Sequence, residues 1–229
     1  MGISMLIVAA SFQLAGEVRA SWKHAATEKF TAKYEKVEPP VAVAEPIRKL
    51  LAAEALVVSG EKDVVMRVWF RAAIPMKANE DQVKNGLTYR EIPEGTLVGV
   101  IEFPEAFTDF RRQKIPKGAY TLRFAVQPDI GDHTGTAPHP DFCLMSAAAK
   151  DKKAEDIAKK DLIEMSSDVN EGKHPAVLLL FPNFAKEMGP KVLGKENGVW
   201  VVNVRRAVAA GDVKSTLGFA ITVAGQWKP

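Results

Sequence analysis

Apolar and polar residues alternate with a period of two along most of this chain, the spacing of a β-strand with one buried face. The clearest case is Tyr120–Gln127. Tyr120, Leu122, Phe124 and Val126 share one face, and Thr121, Arg123, Ala125 and Gln127 share the other, which predicts a half-buried strand. Over Lys29–Val37, Phe30, Ala32 and Tyr34 alternate with Lys29, Thr31, Lys33 and Glu35. Val64–Ala73 carries apolar residues on both faces, as a central strand does. Asp141–Ala147 places Cys143 and Met145 on the face of Asp141, with Phe142 and Leu144 opposite. Ala55–Val58, the unbroken apolar run Ala176–Phe181, Val199–Val204 and Thr216–Ala224 complete the set of expected strands.

The residues between these runs are turn formers. Pro39, Pro40 and Pro46 impose an extended linker, because each proline fixes φ and biases the residue before it away from helix. Ile47–Ala55 is too short for its period to decide between helix and strand, and Lys77–Tyr89 reads as a polar loop. Ile92-Pro93-Glu94-Gly95 and Ile115-Pro116-Lys117-Gly118 form an internal echo, each followed at once by a β-rich run. Proline sets the turn and glycine accepts positive φ, so the two units predict neighbouring strands joined through Pro104–Lys114. This entry pattern resembles the strand entries of extracellular β-sandwich modules; it covers about eight residues and implies no function. Asn197-Gly198 signals a hairpin with Lys191–Lys195 as its first arm.

One stretch has helical spacing. In Asp151–Met165, Ala154, Ile157, Ala158, Leu162 and Met165 form an apolar stripe. Lys152/Asp156, Glu155/Lys159 and Asp156/Lys160 stand as (i, i+4) pairs on the wet side. Together these elements predict an all-β fold: an antiparallel β-sandwich of about eight strands with one inserted α-helix, residues 151–165, in a single domain over residues 21–229.

Composition narrows the function classes. The 31 basic and 28 acidic residues are interspersed, with no basic block of the kind that neutralises phosphates, so nucleic acid is not an expected partner. Residues 1–20 hold an apolar core from Ile3 to Ala15 and end in Val18-Arg19-Ala20, small residues at the positions a signal peptidase reads. A signal peptide, with Ser21 as the mature N-terminus, is therefore expected, and with it a periplasmic or extracellular location. The absence of Lys or Arg ahead of the apolar run leaves a buried first helix or strand as the alternative. The run is too short to anchor the mature chain across a bilayer. Cys143 is the only cysteine, so no intrachain disulfide can contribute and stability rests on the core.

Two groups of residues carry candidate chemistry. Asp129, Asp132, His133, His139 and Cys143 bring carboxylate, imidazole and thiol into one loop and strand, the ligand types of zinc or copper. The spacing resembles cupredoxin ligand loops but departs from their order, so no copper role follows from it. The same loop is rich in turn formers, for which Asp and His are ordinary surface residues. Phe107, Phe110, Arg111 and Arg112, between the two echo units, form a candidate aromatic-basic patch for an acidic or sugar ligand. No nucleophile elbow, zincin helix, P-loop or dinucleotide fingerprint occurs. The expected function is non-enzymatic binding of a ligand or partner. The alternatives are a zinc- or copper-binding protein, or a metal-dependent enzyme, built on residues 129–143 and a structural subunit of a cell-envelope assembly.

Overall fold

The computed structural model describes residues 29–128, 137–170 and 174–226. In chain order the strands of its first half are β1 (Thr31–Glu35), β2 (Ala55–Ser59), β3 (Val64–Phe70), β4 (Ile74–Pro75), β5 (Leu97–Phe103), β6 (Phe107–Thr108) and β7 (Lys114–Ile115). The second half contributes β8 (Gly118–Val126), β9 (Asp141–Ala147), β10 (Ala176–Pro182), β11 (Lys191–Gly194), β12 (Trp200–Ala210) and β13 (Val213–Ala224). The helices are α1 (Glu45–Arg48), α2 (Glu80–Asn85) and α3 (Lys159–Ser167).

Ten strands pair in the order β1-β2-β3-β5-β8-β9-β10-β13-β12-β11, every step antiparallel. β4 adds a short parallel pairing to β12, and β6 and β7 form a separate two-stranded ribbon. The sheet curls instead of lying flat. β10 supplies the corner: Ala176–Leu179 pair with β9 and Leu180–Pro182 with β13, so one strand serves two directions of the sheet. The curl brings the edges together, with the Phe30 and Trp200 rings edge-on at 5.7 Å. The Arg206 guanidinium lies over the rings of Tyr34 (5.7 Å) and Phe70 (5.2 Å) at this seam. Ten strands exceed the eight or so expected because the run after Gly95 and the Lys191–Lys195 arm pair into the same sheet, while β4, β6 and β7, two residues each, are too short to show alternation.

The echo units do lie side by side: β5 pairs with β8 from Leu97↔Arg123 to Phe103↔Gly118. Gly95 adopts φ +86°, and a Cβ there would stand 2.0 Å from the Ile157 carbonyl oxygen, so only glycine fits. Asn197 and Gly198 both take positive φ (57° and 72°) between β11 and β12, as the hairpin signal requires.

The concave side of the curl is one apolar core, from Phe30, Leu56 and Met66 through Phe124, Cys143 and Met145 to Val204 and Phe219. Separate flaps cover the convex side. Residues around α1 place Val43 and Ile47 on Val57, Trp69 and Val100. Ile157 and Leu162 lie on Ala125, Leu144 and Val177. This second layer corrects the half-buried reading of β8. Thr121, Arg123 and Ala125, placed on a polar face by alternation, are buried as fully as their neighbours.

The helix also differs from expectation. It spans Lys159–Ser167, not residues 151–165. Residues 151–158 are recruited by Arg123 instead. Its guanidinium donates to both carboxylate oxygens of Asp151 (2.7 and 3.1 Å) and to the carbonyls of Gly95, Lys153 and Glu155. A helix would need the Lys153 carbonyl for the amide of Ile157, and that amide donates to Gly95 at 3.3 Å. The expected pair Glu155/Lys159 is replaced by Lys159 with Glu94 at 3.0 Å. In the supposed polar loop, α2 forms behind a capping box: the Asn79 and Gln82 side chains accept from each other's backbone amides at 2.9 and 3.0 Å. Asn-x-x-Gln is a helix start legible in the chain, and it overrides the polar composition of Lys77–Tyr89.

Candidate functional site

The turn between β6 and β7 is built around one carboxylate. Asp109 Oδ1 accepts the amides of Arg111 (2.9 Å) and Gln113 (2.8 Å), and Oδ2 accepts Gln113 Nε2 (3.0 Å). Burial pushes the Asp109 carboxyl above its ordinary range, and these donors oppose the shift in part. Gln113 Nε2 also reaches the Pro175 carbonyl (3.2 Å), which ties the turn to the segment before β10. Arg112 sits in the left-handed region at φ 66°, the conformation that closes the turn.

This turn separates the four residues of the expected aromatic-basic patch. Phe107 is core: its ring stacks on Phe103 at 4.4 Å and 8°. Phe110 faces the convex side of the sheet, packing against the apolar groups on both arms of the corner strand β10. Arg111 and Arg112 are exposed. Phe110 and Arg111 share a cleft of about 240 Å³ whose floor is Ala125, Phe142, Leu144 and Val177. α3 borders it through Lys159 and Ile163, and His174 stands at its mouth. Arg112 and Phe107 do not line it. The floor residues could not be singled out from the chain, because they meet only across three strands. The one sequence signal was the second apolar face of β9, Phe142 and Leu144, which needed something to cover it.

The cleft is apolar below and carries two cations above. Arg111 and Lys159 stand at its edge with the His174 ring beside them, and the Glu94 carboxylate is bound to Lys159 at 3.0 and 3.2 Å. An apolar floor with a few polar side chains at the rim is the arrangement of a small-molecule site.

Of the candidate metal ligands, Asp129, Asp132 and His133 lie outside the described residues, as do residues 1–20. Cys143 faces the concave core beside Met145 and Phe124, where burial drives the thiol far above its ordinary pKa and keeps it protonated. His139 packs edge-on against Phe181 (4.8 Å, 73°) on the other side of the sheet. Among the described residues no three His, Cys, Asp or Glu side chains come together in a group able to hold a metal ion.

Burial, and then Lys195, hold the His139 imidazole below its ordinary pKa. The unfolded chain therefore takes up the proton first as pH falls below about 6.5, and the fold loses stability over that range until the folded imidazole also protonates. His139→Gln is expected to shrink the drop in thermal midpoint between about pH 7 and about pH 5. An unchanged drop would place the acid sensitivity elsewhere.

A second cleft, about 470 Å³, opens between the Leu87–Glu91 segment and Asp141 at the start of β9, Pro182 at the end of β10, and Leu217 and Gly218 within β13. Tyr89 closes its inner end. The Tyr89 hydroxyl donates to the Phe181 carbonyl (2.9 Å) and accepts the Ala220 amide (3.1 Å), bridging β10 and β13 at the corner.

No family model, no curated protein and no solved structure matches the chain. Among the described residues, no helix is long and apolar enough to cross a membrane.

Proposed function

We propose that this is a non-enzymatic binding protein whose ligand is a small amphipathic anion, an aliphatic or aromatic carboxylate, held in the cleft beneath Phe110. The observation that carries the reading is the pairing of an apolar floor with a cationic mouth. Phe110, Phe142, Leu144 and Val177 would take the hydrocarbon, and Arg111 the carboxylate, with Lys159 exchanging its contact with Glu94 for the ligand. At about 240 Å³ the cleft lies just below the range of about 300–1,000 Å³ typical of small-molecule sites, which favours a short ligand. A rigid turn supports the reading, since a pre-set Phe110 loses little freedom on binding. We place the protein outside the cytoplasm, in the periplasm or beyond the cell, on the apolar run and the Val18-Arg19-Ala20 ending of its first twenty residues.

Calorimetric titration with octanoate, and with octylamine as the charge-reversed control, tests the site. Saturable binding of octanoate alone is expected, weakened at least tenfold in Arg111→Glu and in Phe110→Ala. Failure of octanoate and of 4-phenylbutyrate to bind the natural sequence would overturn the reading. The zinc or copper alternative on residues 129–143, and a structural role in a cell-envelope assembly, have separate readouts. These are stoichiometric metal in protein purified without chelator, and a co-purifying partner.

A further inference from the structure

Phe184 stands exposed between two neighbours whose backbone and side chains are bonded to the sheet. It is 82% exposed, the most exposed aromatic among the described residues, and Met188 in the same connection is 60% exposed. On one side of it Asn183 is buried. Its Nδ2 donates to the carbonyls of Val204 (3.2 Å) and Phe219 (2.9 Å), and its Oδ1 accepts the Ala185 amide (3.0 Å) and Asn203 Nδ2 (3.1 Å). On the other side the Ala185 carbonyl accepts Arg205 Nη1 at 2.7 Å, and Arg205 is itself bound to Thr216. Gly218 packs so closely that a Cβ would lie 2.2 Å from the Asn183 carbonyl oxygen. A backbone fixed on both sides presents the ring at a set place on the surface, and interfaces concentrate their energy in such aromatics.

The ring stands at the edge of the cleft of about 470 Å³, whose other apolar walls are Leu87, Pro182 and Leu217. Knob and hole therefore share one face. The charges around them are of both signs: Arg90 and Lys186 against Glu91, Glu187 and Asp141, which lines the cleft itself. An anionic lipid surface selects for a single positive sign. A face carrying both signs, with an apolar knob beside an apolar hole, complements itself under a two-fold rotation. We propose that this face pairs with a second copy of the same chain, each Phe184 entering the partner's cleft. The face is built from Phe184 and two short segments, Leu87–Glu91 and Pro182–Met188, so the dimer is expected to be weak.

Sedimentation equilibrium on the full chain, from about 1 to about 200 μM, brackets a micromolar dissociation constant. A monomer–dimer equilibrium within that range is expected. Phe184→Asp and Phe184→Ala should each weaken it at least tenfold while leaving the thermal midpoint unchanged, because the side chain contacts solvent in the monomer. A natural protein that stays monomeric throughout would overturn the proposal, as would a dimer that both variants preserve. Co-sedimentation of the monomer with phosphatidylglycerol vesicles, lost in Phe184→Asp, would instead assign the ring to a lipid surface and also overturn it.

Discussion

Arg123→Ala is expected to cost about 3–5 kcal/mol of unfolding free energy, the range for removing one partner of a buried ion pair. Both side chains of the Arg123–Asp151 pair are fully buried. Truncation leaves the Asp151 carboxylate in the core with Thr121 (2.7 Å) and the Lys153 amide (3.2 Å) as its remaining donors. It also removes the hydrogen bonds to the carbonyls of Gly95, Lys153 and Glu155, so the loop over β8 loses its anchor. Arg123→Lys should recover little, since one ammonium cannot reach a carboxylate and three carbonyls that the planar fork meets at once. The double variant Arg123→Met/Asp151→Leu should recover part of the loss, because no unpaired charge remains, but not the part owed to the three carbonyls. Urea unfolding of the four proteins measures this. A loss below about 1 kcal/mol in Arg123→Ala, the scale of an exposed pair, would mean that the cluster is open to water.

Phe219→Ala is expected to cost a similar amount, about 3–5 kcal/mol, for a different reason. The ring is fully buried on β13 and meets Tyr89 at 5.3 Å and Phe70 at 5.8 Å, joining the two arms of the curled sheet across the core. Removing it leaves a cavity that β3 and β13 cannot close, since each is fixed in its own ladder. Phe219→Leu should cost distinctly less. The loss should couple to Tyr89→Phe, because Tyr89 both packs on this ring and bridges Phe181 to Ala220. Additive losses in a double-mutant cycle would show that the ring and the bridge act independently.

The strands that were legible are those whose period is set by local burial. Asp141–Ala147 coincides with β9, and Ala176–Phe181 lies within β10, Ala176–Pro182. The echo units paired because the same turn chemistry launches each of them. Alternation misjudged β8 because an arginine on a strand ordinarily marks the wet face, and here five hydrogen bonds make its burial affordable. The helical stripe misjudged residues 151–158 for the same reason: Arg123 competes for the carbonyls that a helix would use. In the candidate site, Phe110 and Arg111 were legible as an unusual aromatic-basic pair. Phe107 was not separable from them, since its place in the core depends on stacking with Phe103.

By itself, then, the sequence determined the β class, the hairpin at Asn197-Gly198, the pairing of the two Ile-Pro-x-Gly units and the second apolar face of β9. Each follows from preferences that act within a few residues. The tertiary structure alone decided the corner at β10, the meeting of β1 with the far edge of the sheet, the buried Arg123–Asp151 pair, and the cleft that joins Phe110 to Phe142 and Val177. These depend on contacts between residues far apart in the chain, and no local period records which distant group will stand opposite.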